Sequence, residues 1–228
     1  MVGTIIDAVF ISMVIDRSGS MSSVGKSLID GTNNFINEQR NLALNNKIPT
    51  FLNLTIFDNI AENIYNFNNI LEVEPISQEI LYPRNTTRLI DTATNEINKL
   101  DVIIRNCNYS KCNSIFALLT DGFDNCSSEY SCLDLNKLIS TAKTKGTKCL
   151  FLGANQDAIQ MGNKFGFSKE YSMEYDANIV NSLNAFRSLS QEISRTSSGI
   201  KSNGFTLEQR ESSKSKFHQC NNLKLSRQ

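Results

Sequence analysis

The chain has 228 residues, 40% of them hydrophobic, which suits one sizeable core. Its 23 Lys and Arg balance 23 Asp and Glu, so no bulk charge draws it toward nucleic acid or an anionic membrane. No segment approaches the roughly 20 apolar residues that cross a bilayer. Met1–Asp7 has no basic region, so no signal peptide is read and the expected location is cytoplasmic.

Ala8–Ile15 is the first nearly continuous apolar run, the pattern of a strand buried on both faces of a parallel sheet. Val24, Leu28, Phe35 and Ile36 then recur at helical spacing, predicting a helix over about Ser22–Leu42. Phe51–Phe57 alternates as a strand, and Asn59–Tyr65 pairs with it as a short antiparallel edge. Leu89, Ile90, Ala93, Ile97, Leu100 and Ile104 mark a second helix, followed by the strand Ser114–Leu119. A third helix carries Leu133 to Ala142 and stops at Gly146, and Lys148–Leu152 is the next buried strand. Asn155–Phe165 and Ala177–Arg195 read as helices, with a weak strand over Glu170–Tyr175 between them. Strands alternating with helices predict an α/β sheet covered on both faces. One domain is expected over 1–195, and 196–228 reads as a partly ordered polar tail with room for one helix.

Six Cys are present, Cys107 with Cys112 and Cys126 with Cys132 forming two loosely spaced pairs. Neither pair is a tight Cys-x-x-Cys knuckle, and the single His, His218, is remote in sequence, so free thiols are expected rather than a zinc site. Cys126 follows a candidate loop, but nothing in the sequence activates it.

Two signals compete just after the first strand. Gly25-Lys26-Ser27 invites a phosphate-binding loop, but that loop needs a Gly where this chain has Ser20. Gly19 falls one position early, and Asp16 would set a negative charge near the phosphates. The other signal is Asp16-x-Ser18-x-Ser20, one carboxylate and two hydroxyls at alternate positions around Gly19. Hard oxygen donors suit Mg²⁺ or Mn²⁺. Taken alone, Ser18 and Ser20 would read as helix caps and Asp16 as a turn residue. A second loop, "PRNTTRLIDT", carries Thr86 and Thr87 before a helix, and a third, "FALLTDGFDN", carries Asp121 after a strand. In an open α/β sheet such loops share the carboxyl edge.

These residues resemble a von Willebrand factor type A domain with a metal-ion-dependent adhesion site. "DRSGSM" at Asp16–Met21, "NTTRLIDT" at Asn85–Thr92 and "LLTDGFDN" at Leu118–Asn125 carry the resemblance. "LTIFDN" at Leu54–Asn59 sits where the family has its second strand, and the fit runs from about residue 8 to 165. "FLGANQDA" at Phe151–Ala158 is similar to a segment of single-domain microbial members. The resemblance implies a Rossmann-like three-layer sandwich, with a mainly parallel sheet, one antiparallel edge strand and helices on both faces. It also implies the metal ligands Asp16, Ser18, Ser20, Thr87 and Asp121, with Mg²⁺ as the cation and Mn²⁺ or Ca²⁺ as substitutes. Thr87 rather than Thr86 matches the family threonine, and Asn85-Thr86 stands where many members have Gly-Gly. The implied partner is a protein offering an Asp or Glu carboxylate to the metal, without catalysis.

Two other functions remain open on the residues, beside a degenerate domain that keeps the loop and serves only as scaffold. A Mg²⁺-dependent phosphatase-like hydrolase also places an Asp after its first strand, but needs a second Asp where Ser18 stands; Asp121 and Asp124 match its later acidic pair only in part. Asp124 reads equally as a residue that orients its loop or as an exposed turn Asp. A nucleotide-binding protein would rest on Lys26.

Overall fold

A computed structural model describes residues 6–154 and 157–215. Strand β1 (Ala8–Asp16) lies at the centre of the sheet and is fully buried along its length. Its side chains divide with the strand's period of two. Val9, Ile11, Met13 and Ile15 enter one apolar cluster; Ala8, Phe10 and Val14 enter the other. Both faces of β1 are therefore covered, which is why its sequence is a continuous apolar run.

Helix α1 (Gly25–Asn46) follows a 3₁₀ turn at Gly19–Ser23 and leads to β2 (Thr50–Phe57) and β3 (Ala61–Asn69). Then come α2 (Leu89–Asn106), β4 (Cys112–Thr120), α3 (Cys132–Thr144), β5 (Lys148–Ala154), α4 (Ala158–Lys164), β6 (Ser172–Tyr175), α5 (Ile179–Ser197) and α6 (Leu207–Ser212). The six strands are ordered β3-β2-β1-β4-β5-β6. Only the β2–β3 pairing is antiparallel. Helices α1 and α5 supply Leu28, Phe35, Leu189 and Ile193 to one face. Helices α2 and α3 supply Ala93, Ile97, Leu135 and Ile139 to the other. The expected three-layer α/β sandwich is the observed architecture.

Several boundaries differ from the sequence reading. The edge strand β3 starts at Ala61 because Asp58 accepts the Ile60 N–H at 2.9 Å and holds 58–60 as a turn. A 3₁₀ turn occupies Lys169–Tyr171, so β6 starts only at Ser172. The helix expected from Asn155 is described from Ala158, capped by Asp157; residues 155–156 lie outside the described ones.

The described part of the segment after 195 packs on the domain. Phe205 is buried, and its N–H bonds the Glu170 carbonyl at 2.9 Å. Arg210 on α6 donates to the carbonyls of Ser172 and Glu170 at 2.6 and 2.8 Å. Gly204 has φ +97°, and a Cβ there would lie 2.2 Å from the Glu170 carbonyl oxygen, so this turn needs glycine. His218 lies outside the described residues.

Parallel strands on both sides of β1 make the β1–β4 junction the point where the chain reverses direction across the sheet. In such sheets the carboxyl edge at that junction opens into a crevice. Asp16 ends β1, and Asp121 directly follows β4.

Candidate functional site

Asp16 has no exposed surface. Its Oδ1 accepts the Ser18 N–H at 2.7 Å, and its Oδ2 accepts the Thr120 hydroxyl at 2.6 Å. The first bond folds the loop back on the strand end. Ser18 and Ser20 then stand with their hydroxyl oxygens 3.1 Å apart, and Ser20 donates to Asp121 Oδ1 at 2.6 Å. A Cβ built on Gly122 would meet Ser20 Oγ at 3.4 Å and Thr87 Oγ1 at 3.7 Å, which places Thr87 in the same cluster. All five candidate residues thus come together at one end of the sheet. Ser18 and Thr87 are buried and Ser20 is exposed, so the cluster opens to solvent at Ser20.

The second loop is held by backbone bonds. The Asn85 carbonyl accepts the Gly19 N–H at 3.2 Å. Asn85 has φ 60°, the left-handed conformation that glycine favours and asparagine tolerates. That is how this chain does without glycine there. The Asn125 side chain accepts the Thr87 N–H at 2.8 Å, and the Asn125 N–H returns a bond to the Thr87 carbonyl at 3.0 Å. Thr86 turns away and gives its hydroxyl to Cys126 Sγ at 3.2 Å. Asp124 accepts the Ile90 N–H in the first turn of α2 at 3.1 Å and also bonds Ser127, so it ties the third loop to the helix that follows Thr87.

The electrostatics separate these carboxylates from their neighbours. Burial pushes the Asp16 carboxyl up to about 6, with the Asp121 charge acting in the same direction. Burial raises Asp121 as well. Among the described residues neither makes an ion pair, and no Lys or Arg is among the largest influences on either. Asp58 is also buried, but hydrogen bonds from Arg84 and the Ile60 N–H and the charge of Arg17 outweigh burial and hold it below its usual range. Asp91 behaves alike: three N–H groups from Ser128–Tyr130 and the Arg88 guanidinium overcome burial. Tyr175, at the end of β6, has a buried hydroxyl without a hydrogen-bond partner among the described residues, and burial and then the Asp121 and Asp16 charges raise it.

Two carboxylates and three hydroxyls form a hard, oxygen-only donor set of net charge −2 when both carboxylates are ionised, with no ion-paired Lys or Arg among the described residues. A divalent cation of the Mg²⁺ class fits such a set. Among the described residues no three His, Cys, Asp or Glu side chains gather as a metal-holding group, so the fit depends on the hydroxyls.

The sequence reading did not single out Thr120, Arg17, Arg84 or Asp91. Arg17 sits inside the first motif but turns to the opposite side, bonding Asp58 at 3.1 Å, Glu62, and the Ile80 carbonyl at 2.9 Å. Lys26 is exposed, and the Ser27 hydroxyl is spent on the Val24 carbonyl at 2.6 Å.

No family model and no curated protein matches the chain. Solved structures do. The vWF domain of the type V pili tip protein Mfa5 from Porphyromonas gingivalis aligns at TM-score 0.59 and 12% identity, covering 89% of this chain and 99% of that one. Pilus adhesin SpaC from Lactobacillus rhamnosus GG aligns at TM-score 0.60 and 14% identity, covering 85% and 31%. The conserved hypothetical protein BatB from Bacteroides thetaiotaomicron aligns at TM-score 0.54 and 14% identity, covering 83% and 98%. Several of the similar structures are longer: the chain spans 48% of proximal thread matrix protein 1 from the mussel byssus, 31% of SpaC and 62% of the PilB minor pilin from Streptococcus sanguinis. The fold is that of a von Willebrand factor type A domain.

Proposed function

We propose that the chain is a Mg²⁺-dependent protein-binding domain of the adhesion or adaptor type. Asp16, Ser18, Ser20, Thr87 and Asp121 would hold the cation directly or through water, and an Asp or Glu of a partner protein would complete its coordination. The observation that carries this reading is the contrast among the carboxylates. Asp58 and Asp91 are paired with arginines, whereas Asp16 and Asp121 converge on hydroxyls with no ion pair among the described residues. The pilus adhesin and pilus tip protein among the similar structures favour an adhesion-type role.

Binding without catalysis is part of the proposal, and so is cytoplasmic residence. Ser18 occupies the position where a phosphatase-like site needs its second Asp, and Ser27 is committed to its own backbone rather than to a nucleotide phosphate.

The test is capture of partner proteins by the full chain in Mg²⁺ and in EDTA. The reading expects a partner retained in Mg²⁺, released by EDTA and lost with Thr87→Ala. Capture indifferent to both would overturn it. Turnover of a generic phosphate ester that is abolished by Asp16→Asn would move the assignment to a hydrolase.

A further inference from the structure

At the end of the sheet opposite the candidate site, α2 passes to β4 through Cys107-Asn-Tyr-Ser-Lys-Cys112. Cys107 is the residue just after α2, and Cys112 opens β4. Their Sγ atoms lie 3.4 Å apart, and both residues are half-buried. The loop between them is held from outside. Tyr109 packs its ring on Phe10 and Phe51, with centroids 6.2 and 6.0 Å away. Asp7 and Lys111 exchange two bonds: the Asp7 N–H donates to the Lys111 carbonyl at 2.9 Å, and the Lys111 N–H donates to Asp7 Oδ2 at 3.0 Å. The proximity of the two thiols is thus fixed by β1 and β2 packing rather than by the thiols themselves.

The other described cysteines are placed differently. Cys126 receives the Thr86 hydroxyl, Cys132 faces the Lys164 carbonyl at 3.6 Å, and Cys149 is buried in the core.

We propose that Cys107 and Cys112 are a thiol–disulfide couple that closes by exchange with a small-molecule disulfide such as oxidised glutathione. The Cys107 thiolate attacks one glutathione sulfur, forming a mixed disulfide and releasing one glutathione thiolate. Cys112 then loses its proton and attacks Cys107 Sγ, expelling the second glutathione. Two protein S–H bonds are lost, one S–S bond forms, and the glutathione disulfide is reduced to two thiols. Burial, and then the neighbouring Cys107, push the Cys112 thiol up to about 12, which makes it the poorer first nucleophile and assigns the opening attack to Cys107. The sulfurs need to close from 3.4 Å to about 2.05 Å. The bond would tie the end of α2 to the start of β4. It does not depend on the metal reading.

The experiment equilibrates the full chain with oxidised glutathione, quenches in acid, alkylates and digests without reduction. Trypsin cuts after Arg105, Lys111 and Lys137, so Cys107 and Cys112 fall on different peptides, the second of which also holds Cys126 and Cys132. The expected product is these two peptides joined, two hydrogens lighter than their sum, with fragmentation placing the bond at Cys112. Cys112→Ser should carry a single glutathione on Cys107. Both thiols remaining alkylatable, or a bond from Cys107 to any other cysteine, would overturn the proposal.

Discussion

Thr120 and Asp16, the last residues of the two central parallel strands, are joined by a hydrogen bond of 2.6 Å from the threonine hydroxyl to the carboxylate. The bond ties the first loop of the candidate site to the strand that launches the third. It also serves a carboxylate oxygen that is fully buried. Thr120→Val keeps the β-branched shape and removes the donor. The expected cost is about 1–3 kcal/mol of unfolding free energy, read by urea titration in EDTA. Mg²⁺ affinity should fall as well, because Asp16 loses the bond that orients it.

The pH dependence of the metal-free protein follows from Asp16. Burial raises its carboxyl from 3.8 to about 6. Between those values the folded protein holds a proton that the unfolded chain has lost. Stability from this group is therefore present at low pH and is lost as pH rises through about 6, amounting to about 3 kcal/mol at pH 7. In EDTA, Asp16→Asn should be more stable than the wild type at pH 7 and nearly equal to it at pH 4. The comparison cancels Asp58, Glu62 and Asp91, whose lowered carboxyls act with the opposite sign. Mg²⁺ should reverse the order at pH 7.

Gly122 separates folding from ligand binding. An added methyl would sit 3.4 Å from Ser20 Oγ and 3.7 Å from Thr87 Oγ1, in ordinary contact with both. Gly122→Ala should fold with a melting temperature in EDTA close to wild type. Its methyl nonetheless lies beside two of the candidate ligands. Mg²⁺ affinity should fall by about tenfold or more, equivalent to about 1.4 kcal/mol.

The arginine cluster beside the site predicts a purely structural effect. The Arg17 side chain is 4% exposed against an Asp58 that is 0% exposed, while Arg84 is 46% exposed. Arg17→Ala leaves buried charge with only the outer arginine, at a cost of about 3 kcal/mol. Arg84→Ala should cost clearly less, because its charge is screened by solvent. Denaturant midpoints of the two variants give the ranking directly.

What the sequence revealed follows from how each element is buried. Strands covered on both faces, such as Ala8–Asp16 and Cys112–Thr120, carry nearly continuous apolar runs, which their short length and following Gly or Asp distinguish from helices. The candidate residues were legible as a group because three loops carrying them each adjoin a strand or helix end, and the structure brings those loops together. Thr120 and Arg17 were not, since a hydroxyl or guanidinium says nothing of its partner until the strands are paired. The segment around Phe205 was read as part of a partly ordered tail with room for one helix, because it has little apolar periodicity. It is held by backbone carbonyls of Lys169–Ser172, which any sequence offers. Ile70, Val73, Ile76 and Leu81 are buried in a connection between β3 and α2 that has no regular period, so no element was predicted there.

The most direct measurement is a calorimetric titration of Mg²⁺ into the full chain at pH 7, beside Asp121→Ala. The account predicts one Mg²⁺ bound per chain, and no binding in the variant while its fold, read by circular dichroism, is kept. A wild-type chain that binds no Mg²⁺, Mn²⁺ or Ca²⁺, or a variant that binds Mg²⁺ as the wild type does, would contradict it.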